Sequence, residues 1–304
     1  MPARFNKLKR ILEFCQSKLY RRVLAVRFLA YLMHKVSPSV KYIGIENEEG
    51  KIFLFLKDNV ITPYTIAKNH NFQGDEITRA IRICQEKGHS TNGLFIDIGA
   101  NIGTATLAAL NCPLAAFSGA ICIEPESNNL NLLKVNINAN NLNSKVRFEQ
   151  KAVGAEKGIL KLALSESNHG DHRVYANSNP HGDQAQFIDI EVDTIDHILQ
   201  TNNVRESEIS LVWVDTQGFD GFVLKGAQNL IKNRTPFCIE MSPAMGRMNA
   251  GYETALSIIE NQCQVFYDLN SLNWNSPQNA NTVRNYLSFL EQTDLHTDLL
   301  IFPK

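Results

Sequence analysis

Four acidic residues sit within or directly after apolar runs: Asp97 in Leu94–Ile98, Glu124 after Ala120-Ile-Cys-Ile, Asp215 after Ile209–Val214 and Glu240 after Pro236–Ile239. Nearly continuous apolar runs of this length read as strands covered on both faces. Acids at the carboxyl ends of such strands look into the crevice where open α/β sheets bind ligands. Around the first of them, Gly99 and Gly103 allow positive φ and close approach of a ligand to the backbone. Thr104, Ala105, Leu107, Ala108 and Leu110 then start a helix whose first N–H groups point back at the loop. The glycine spacing is not G-x-G-x-x-G, and the acid precedes the first glycine. A carboxylate there repels a pyrophosphate but attracts an α-ammonium group, which favours S-adenosylmethionine over a dinucleotide. Glu124 lies 27 residues beyond Asp97, about where the second strand of a nucleotide-binding unit presents a carboxylate to ribose hydroxyls.

Two further stretches carry candidate chemistry. Val146 to Val153 reads as the third strand and lacks an evident acid for an adenine amino group, leaving Gln150 and Lys151 as candidates. Ser165 to Gln186 is polar, rich in Gly and Asn, and long for a connection, as functional lids are. It holds His169, Asp171, His172, Arg173 and His181, but the spacing matches no standard metal motif, and no metal site is expected.

Periodicity outlines the scaffold around these groups. Tyr42–Ile45 and Lys51–Leu56 flank a polar turn and read as a hairpin. Asp75 to Lys87 has a helical pattern, with Asp75 as N-cap and Gly88 as its stop. Leu130 to Ile137, the stretch after Asp196, Phe222 to Ile231 and Tyr252 to Gln262 read as further helices. Phe187–Val192, Gln264–Leu269 and Asp298–Phe302 read as strands. This alternation predicts an α/β fold: a Rossmann-like, doubly wound, mostly parallel sheet with helices on both faces and an N-terminal helical and hairpin extension. The expected organisation is a basic helix over 1–40, a hairpin and helix over 41–92, and the main domain over 93–304.

The chain has 304 residues, 44% of them hydrophobic, enough for one large domain with an extension. A net charge of −1 gives no basicity for nucleic acid, and none is expected as a partner. Before residue 41, however, nine Lys or Arg stand against the single acid Glu13. Ile11, Leu12, Cys15, Leu19, Val23, Val26, Ala30 and Met33 recur there at helical spacing, with basic residues between them. We expect this helix to pack on its own domain with a solvated basic face; the alternative is peripheral contact with an anionic membrane or a partner. No apolar stretch is long enough to span a bilayer. The six cysteines form no C-x-x-C pair, which points to a reducing compartment and cytoplasmic localisation.

FIDIGANIG, IEPESNNLNLLKVNINAN, VDTIDHIL and VDTQGFDGFVLKGAQNLI followed by PFCIEM occur in that order between Leu94 and Met241. In this the chain resembles the FkbM family of S-adenosylmethionine-dependent methyltransferases. The resemblance implies that Asp97, Gly99, Asn101 and Gly103 line the methionine end of the cofactor, that Glu124 holds the ribose, and that Asp215 faces methyl transfer. It further implies O-methylation of a hydroxyl on a sugar, glycan or polyketide-like small molecule; a base need only take the hydroxyl proton late, and Asp215 and His172 are the candidates. The family often has V-E-G where this chain has Thr216-Gln217-Gly218, and Asp220 stands where Glu is frequent. Two rival classes remain: a nicotinamide-dependent oxidoreductase, which should carry G-x-G-x-x-G in the first turn, and a non-catalytic membrane- or partner-binding protein.

Overall fold

A computed structural model describes residues 18–165, 168–175, 186–243, 251–288, 290–292 and 295–304. Cys15, His181, the basic residues before Lys18 and most of the polar connection ahead of Gln186 lie outside the described residues. Helix α1 (Lys18–Val36) precedes a hairpin of β1 (Tyr42–Asn47) and β2 (Gly50–Phe55), followed by α2 (Ile61–Lys68) and α3 (Gly74–Glu86). The main sheet then begins: β3 (Leu94–Ile98), α4 (Thr104–Asn111), β4 (Gly119–Ile123), α5 (Ser127–Ala139) and β5 (Val146–Glu149). Next come β6 (Ala152–Val153), β7 (Gly158–Ala163), β8 (Arg173–Tyr175), β9 (Phe187–Asp193) and α6 (Ile195–Thr201). The chain closes with β10 (Ile209–Val214), α7 (Asp220–Lys225), α8 (Gln228–Lys232), β11 (Phe237–Met241), α9 (Gly251–Gln262), β12 (Cys263–Asp268), β13 (Gln278–Asn279), α10 (Val283–Leu287) and β14 (Thr297–Pro303).

Eight strands form the main sheet in the order β13-β12-β14-β11-β10-β3-β4-β5. The five from β11 to β5 run parallel, and β14, β12 and β13 extend the sheet antiparallel. The fold is the expected Rossmann-like α/β sheet. Side chains alternate across its central strands: Phe95, Cys122 and Trp213 face a core shared with α3, α4 and α5. Ile96, Ile98, Val212 and Ile239 face a second core with α6 to α9. Because β3 leads to β4 and β5 on one side while β10 and β11 lie on the other, the order reverses between β3 and β10. Asp97 stands opposite Trp213 in that pairing, so the crevice of a reversing sheet opens where Asp97 and Asp215 end their strands.

Several elements differ from the sequence-based expectation. Val146–Val153 is not one strand: β5 ends at Glu149, and β6 pairs with β9 in a separate four-stranded sheet of order β6-β9-β7-β8. Strand β7, which the apolar pattern does not mark, pairs antiparallel with β9 and β8. The predicted helix over Phe222–Ile231 is two helices, α7 and α8, interrupted at Gly226 and Ala227. A Cβ on Gly226 would stand 2.0 Å from the Gly154 carbonyl oxygen, so that close approach fixes the break. Asp75 does not cap α3: the N-cap is Gln73, at φ 66°, and Asp75 instead pairs with Lys68. Helix α2 is an addition to the expected elements; Asp58 starts it, its Oδ1 accepting from the N–H groups of Val60 at 2.9 Å and Thr62 at 3.2 Å. In α1 the expected solvated basic face is largely apolar, and only Val23 is buried.

One buried side chain ties the hairpin to the main sheet's helices. Asn136 of α5 accepts from Phe53 N–H at 2.7 Å and donates to the carbonyls of Phe53 at 3.1 Å and Ile102 at 2.8 Å. Asn136→Ala leaves three backbone groups without their partner, and we expect a loss of about 2–4 kcal/mol of unfolding free energy in urea titrations. A change under about 0.5 kcal/mol would mean that the hairpin is held by its apolar contacts alone.

Candidate active site

The crevice at the carboxyl ends of β3, β4 and β10 has a volume of about 480 Å³, within the usual range for small-molecule sites. Its floor is the loop after β3. Gly99 and Gly103 take φ of +79° and +88°, and Asn101, between them, takes +50°. A Cβ on Gly99 would lie 2.0 Å from the Asp215 carbonyl oxygen, so only glycine lets the two strand ends meet. Gly103, in contrast, backs onto Leu133: its Cβ would meet Leu133 Cδ1 at 2.4 Å, and it stands behind the crevice wall.

At one end of the crevice, Glu124 Oε2 accepts from Asn101 N–H and Oε1 from Glu126 N–H, both at 2.8 Å. Each oxygen keeps a lone pair, the arrangement needed to accept from two adjacent hydroxyls. Burial pushes the Glu124 carboxyl up to about 7, with the two backbone N–H groups opposing and Glu126 and Asp97 adding to the rise. Asp97 is 1% exposed and accepts from the Thr106 hydroxyl. Burial raises it likewise to about 7, Thr106 opposing and Asp215 reinforcing. Nearby, buried Oδ1 atoms of Asn101 and Asn129 have no hydrogen-bond partner, nor has the indole N–H of Trp213, which is 1% exposed and lines the same crevice.

Towards the antiparallel strands the crevice holds a second set of acids. Asp215 accepts from Gln73 Nε2 at 2.8 Å on one oxygen and from Gln217 Nε2 at 2.6 Å on the other. Gln217, at φ +52°, also reaches Glu240 Oε2 at 3.5 Å. Burial raises the Asp215 carboxyl while the two amides pull it back. Glu240 is raised well above the usual range by burial and then by the charge of Asp215. The two carboxyls therefore titrate as a coupled pair, with burial and their mutual charge disfavouring ionisation of both at once. Asp220 accepts from the N–H of Gly218 at 3.1 Å and of Thr216 at 3.4 Å, and so holds the turn that carries Gln217.

The described part of the polar connection, 168–175, forms one wall. His169 stacks on Phe55 at 4.1 Å between ring centroids; its N–H donates to Asp58 at 2.9 Å and its carbonyl accepts from Asn129. His172 Nδ1 accepts from Ser165 N–H at 3.0 Å, so the neutral ring carries its proton on Nε2. Burial holds its pKa below the usual value. Among the described residues, no group of three or more His, Cys, Asp or Glu converges to hold a metal ion.

The structure therefore brings Asp97, Gly99, Asn101, Glu124, His172 and Asp215 to one crevice. Lys151 also lines it, 3.5 Å from Asp193, whereas Gln150 is exposed. Sequence reasoning missed Gln73, Asn129, Trp213 and Asp298, all of which line the crevice. Asn129 lies within the IEPESNN stretch and could have been singled out; nothing around Gln73 marks a partner 142 residues away.

The family model described as Methyltransferase FkbM domain matches residues 97–272, more than half of the chain. No curated protein matches it. Among solved structures, a methyltransferase FkbM from Methylobacillus flagellatus is 16% identical with a TM-score of 0.41, over 70% of this chain and 44% of that one. The chain thus spans less than half the length of that relative. An O-methyltransferase from Bacillus cereus, crystallised in complex with SAH, is 10% identical with a TM-score of 0.46, over 93% of this chain and all of that one.

Proposed function

Since the chain belongs to the FkbM methyltransferase family, we propose that it transfers a methyl group from S-adenosylmethionine to a hydroxyl oxygen of a sugar, glycan or polyketide-like small molecule. The observation that carries this reading is the Asp215 carboxyl, held by the amides of Gln73 and Gln217 and lining the same crevice as Glu124. The cofactor fits the residues present. Glu124 has two free lone pairs for ribose hydroxyls, Asp97 supplies negative charge beside the glycine loop, and the unpartnered Asn101, Asn129 and Trp213 atoms offer further bonds. When bound, the cofactor supplies an already reactive sulfonium methyl group. The chain's own work is to align the acceptor with that methyl, to exclude water, and to take the hydroxyl proton late in the transfer. Asp215 is the group placed for the last task, with Gln73 and Gln217 fixing its orientation; burial and the charge of Asp215 disfavour a second charge on Glu240. The Nε2 proton of His172 makes that ring a hydrogen-bond donor towards the acceptor rather than the base. The test is transfer of the cofactor's labelled methyl to hydroxylated acceptors, with the product read by NMR: an O-methyl resonance supports the reading, and an N- or C-methyl product overturns it.

The raised carboxyls give this reading a pH dependence. With Asp97 and Glu124 both raised to about 7, each is largely protonated below that pH in the free protein. An ammonium group and ribose hydroxyls favour the ionised forms. Cofactor affinity should therefore rise about ten- to hundredfold from pH 6 to pH 8 and then level, with protons released on binding near pH 6.5. Calorimetry in buffers of different ionisation enthalpy measures both, and a flat affinity over that span contradicts the assignment. For folding the sign is reversed. A folded-state pKa above the unfolded value means that stability declines as pH rises from about 4 towards 7.

A further inference from the structure

Helix α1 is organised inside out for a surface helix. Of its 19 residues only Val23 is buried. Leu19, Val23, Val26 and Ala30 fall on the half that rests on α2, at 100° per residue. Leu24, Phe28 and Leu32 fall on the opposite half and Leu29 at its edge, and all four are exposed, Phe28 at 61% and Leu29 at 56%. Lys18, Arg21 and Arg22 stand at one end of this patch and Lys35 at the other, and the helix contains no acid. Arg27 is committed elsewhere, its Nε donating to the Asn59 carbonyl at 3.0 Å. The helix is not long and apolar enough to cross a membrane.

Exposed apolar residues bracketed by cations suit a helix lying in a headgroup plane, where the apolar side chains reach the acyl boundary and the cations meet anionic lipids. The charge of the rest of the chain agrees. Nine of the 30 basic residues but only one of the 31 acidic ones fall before residue 41, so the chain from residue 41 onwards is net acidic. An anionic surface attracts the helix and repels the body, which fixes the orientation. A second copy is a poorer occupant, since an isologous contact would set these cations against their own equivalents. We propose that α1 docks the protein on an anionic membrane surface. Helix α2, on which it rests, supplies Ile61 and Tyr64 to the crevice wall, so docking holds the crevice one helix away from the bilayer.

The test is co-sedimentation of the full chain with phosphatidylcholine vesicles, with and without about 30% phosphatidylglycerol, beside sedimentation velocity without lipid. Binding should require the anionic lipid. Arg21→Glu with Arg22→Glu should lower the partition coefficient by about tenfold or more, and Phe28→Ser with Leu29→Ser should lower it comparably. Circular dichroism and cofactor affinity should stay unchanged in both variants, which separates lost docking from lost folding. Equal binding to neutral vesicles, or no vesicle binding at all, overturns the proposal. A dimer dispersed by the Phe28/Leu29 variant, with no vesicle binding, would overturn it in favour of a second copy.

Discussion

Asp215→Asn should lower kcat by about 10²–10⁴ while changing cofactor affinity less than threefold. The carboxylate is held from both sides by Gln73 and Gln217, so its orientation is set before any acceptor arrives. An asparagine is the same size but carries no charge and accepts on only one side; it can neither take a proton nor satisfy both amide donors. The loss belongs to the transition state, because the group acts on a proton that leaves late. Single-turnover rates at saturating cofactor read it directly. His172→Ala should cost less than tenfold, mainly in KM, because its Nδ1 is already engaged by Ser165 N–H. The reverse order of effects would move the base to His172. Near-normal rates in both variants would leave alignment as the whole of the chain's contribution.

Glu124→Ala should weaken S-adenosylmethionine and S-adenosylhomocysteine equally, by about 10- to 150-fold, the range expected for hydrogen bonds to a charged group worth about 1.5–3 kcal/mol. Equal loss is expected because the ribose is common to both ligands and the methyl is not. The same carboxylate accepts from the N–H groups of Asn101 and Glu126, so its removal also loosens the loop that carries Asn101. Glu124→Gln separates the two contributions: its amide oxygen retains one of those N–H bonds and the volume is kept, yet one acceptor position becomes a donor. We expect an intermediate loss in calorimetric titrations. Unchanged affinity in a folded Glu124→Ala protein would remove Glu124 from the cofactor site.

The strand-end acids are legible in the sequence because each is a local event, a carboxylate interrupting or closing an apolar run, and the order of the parallel strands then gathers them at one edge. The glycine loop is legible for the same reason, as two glycines directly after an apolar run; the Asp215 carbonyl that requires glycine at 99 is itself a distant partner. Features set by distant partners are not legible in this way. The division of Val146–Val153 between two sheets is decided by β9, some 40 residues later, not by any residue within the run. The break at Gly226 is decided by the carbonyl of Gly154. Gln73 looks like a loop residue until the fold sets its amide against Asp215. In α1 the spacing picks out the side that rests on α2, with Val23 buried, but it does not mark the other side, where Phe28 and Leu29 are exposed.

Titration calorimetry of the purified chain with S-adenosylhomocysteine, run beside NAD, decides whether this crevice holds a methyl donor with its ribose at Glu124. One S-adenosylhomocysteine site of about micromolar affinity is expected at pH 8, weakened in Glu124→Ala, with no binding of NAD. Binding of NAD without S-adenosylhomocysteine would contradict it.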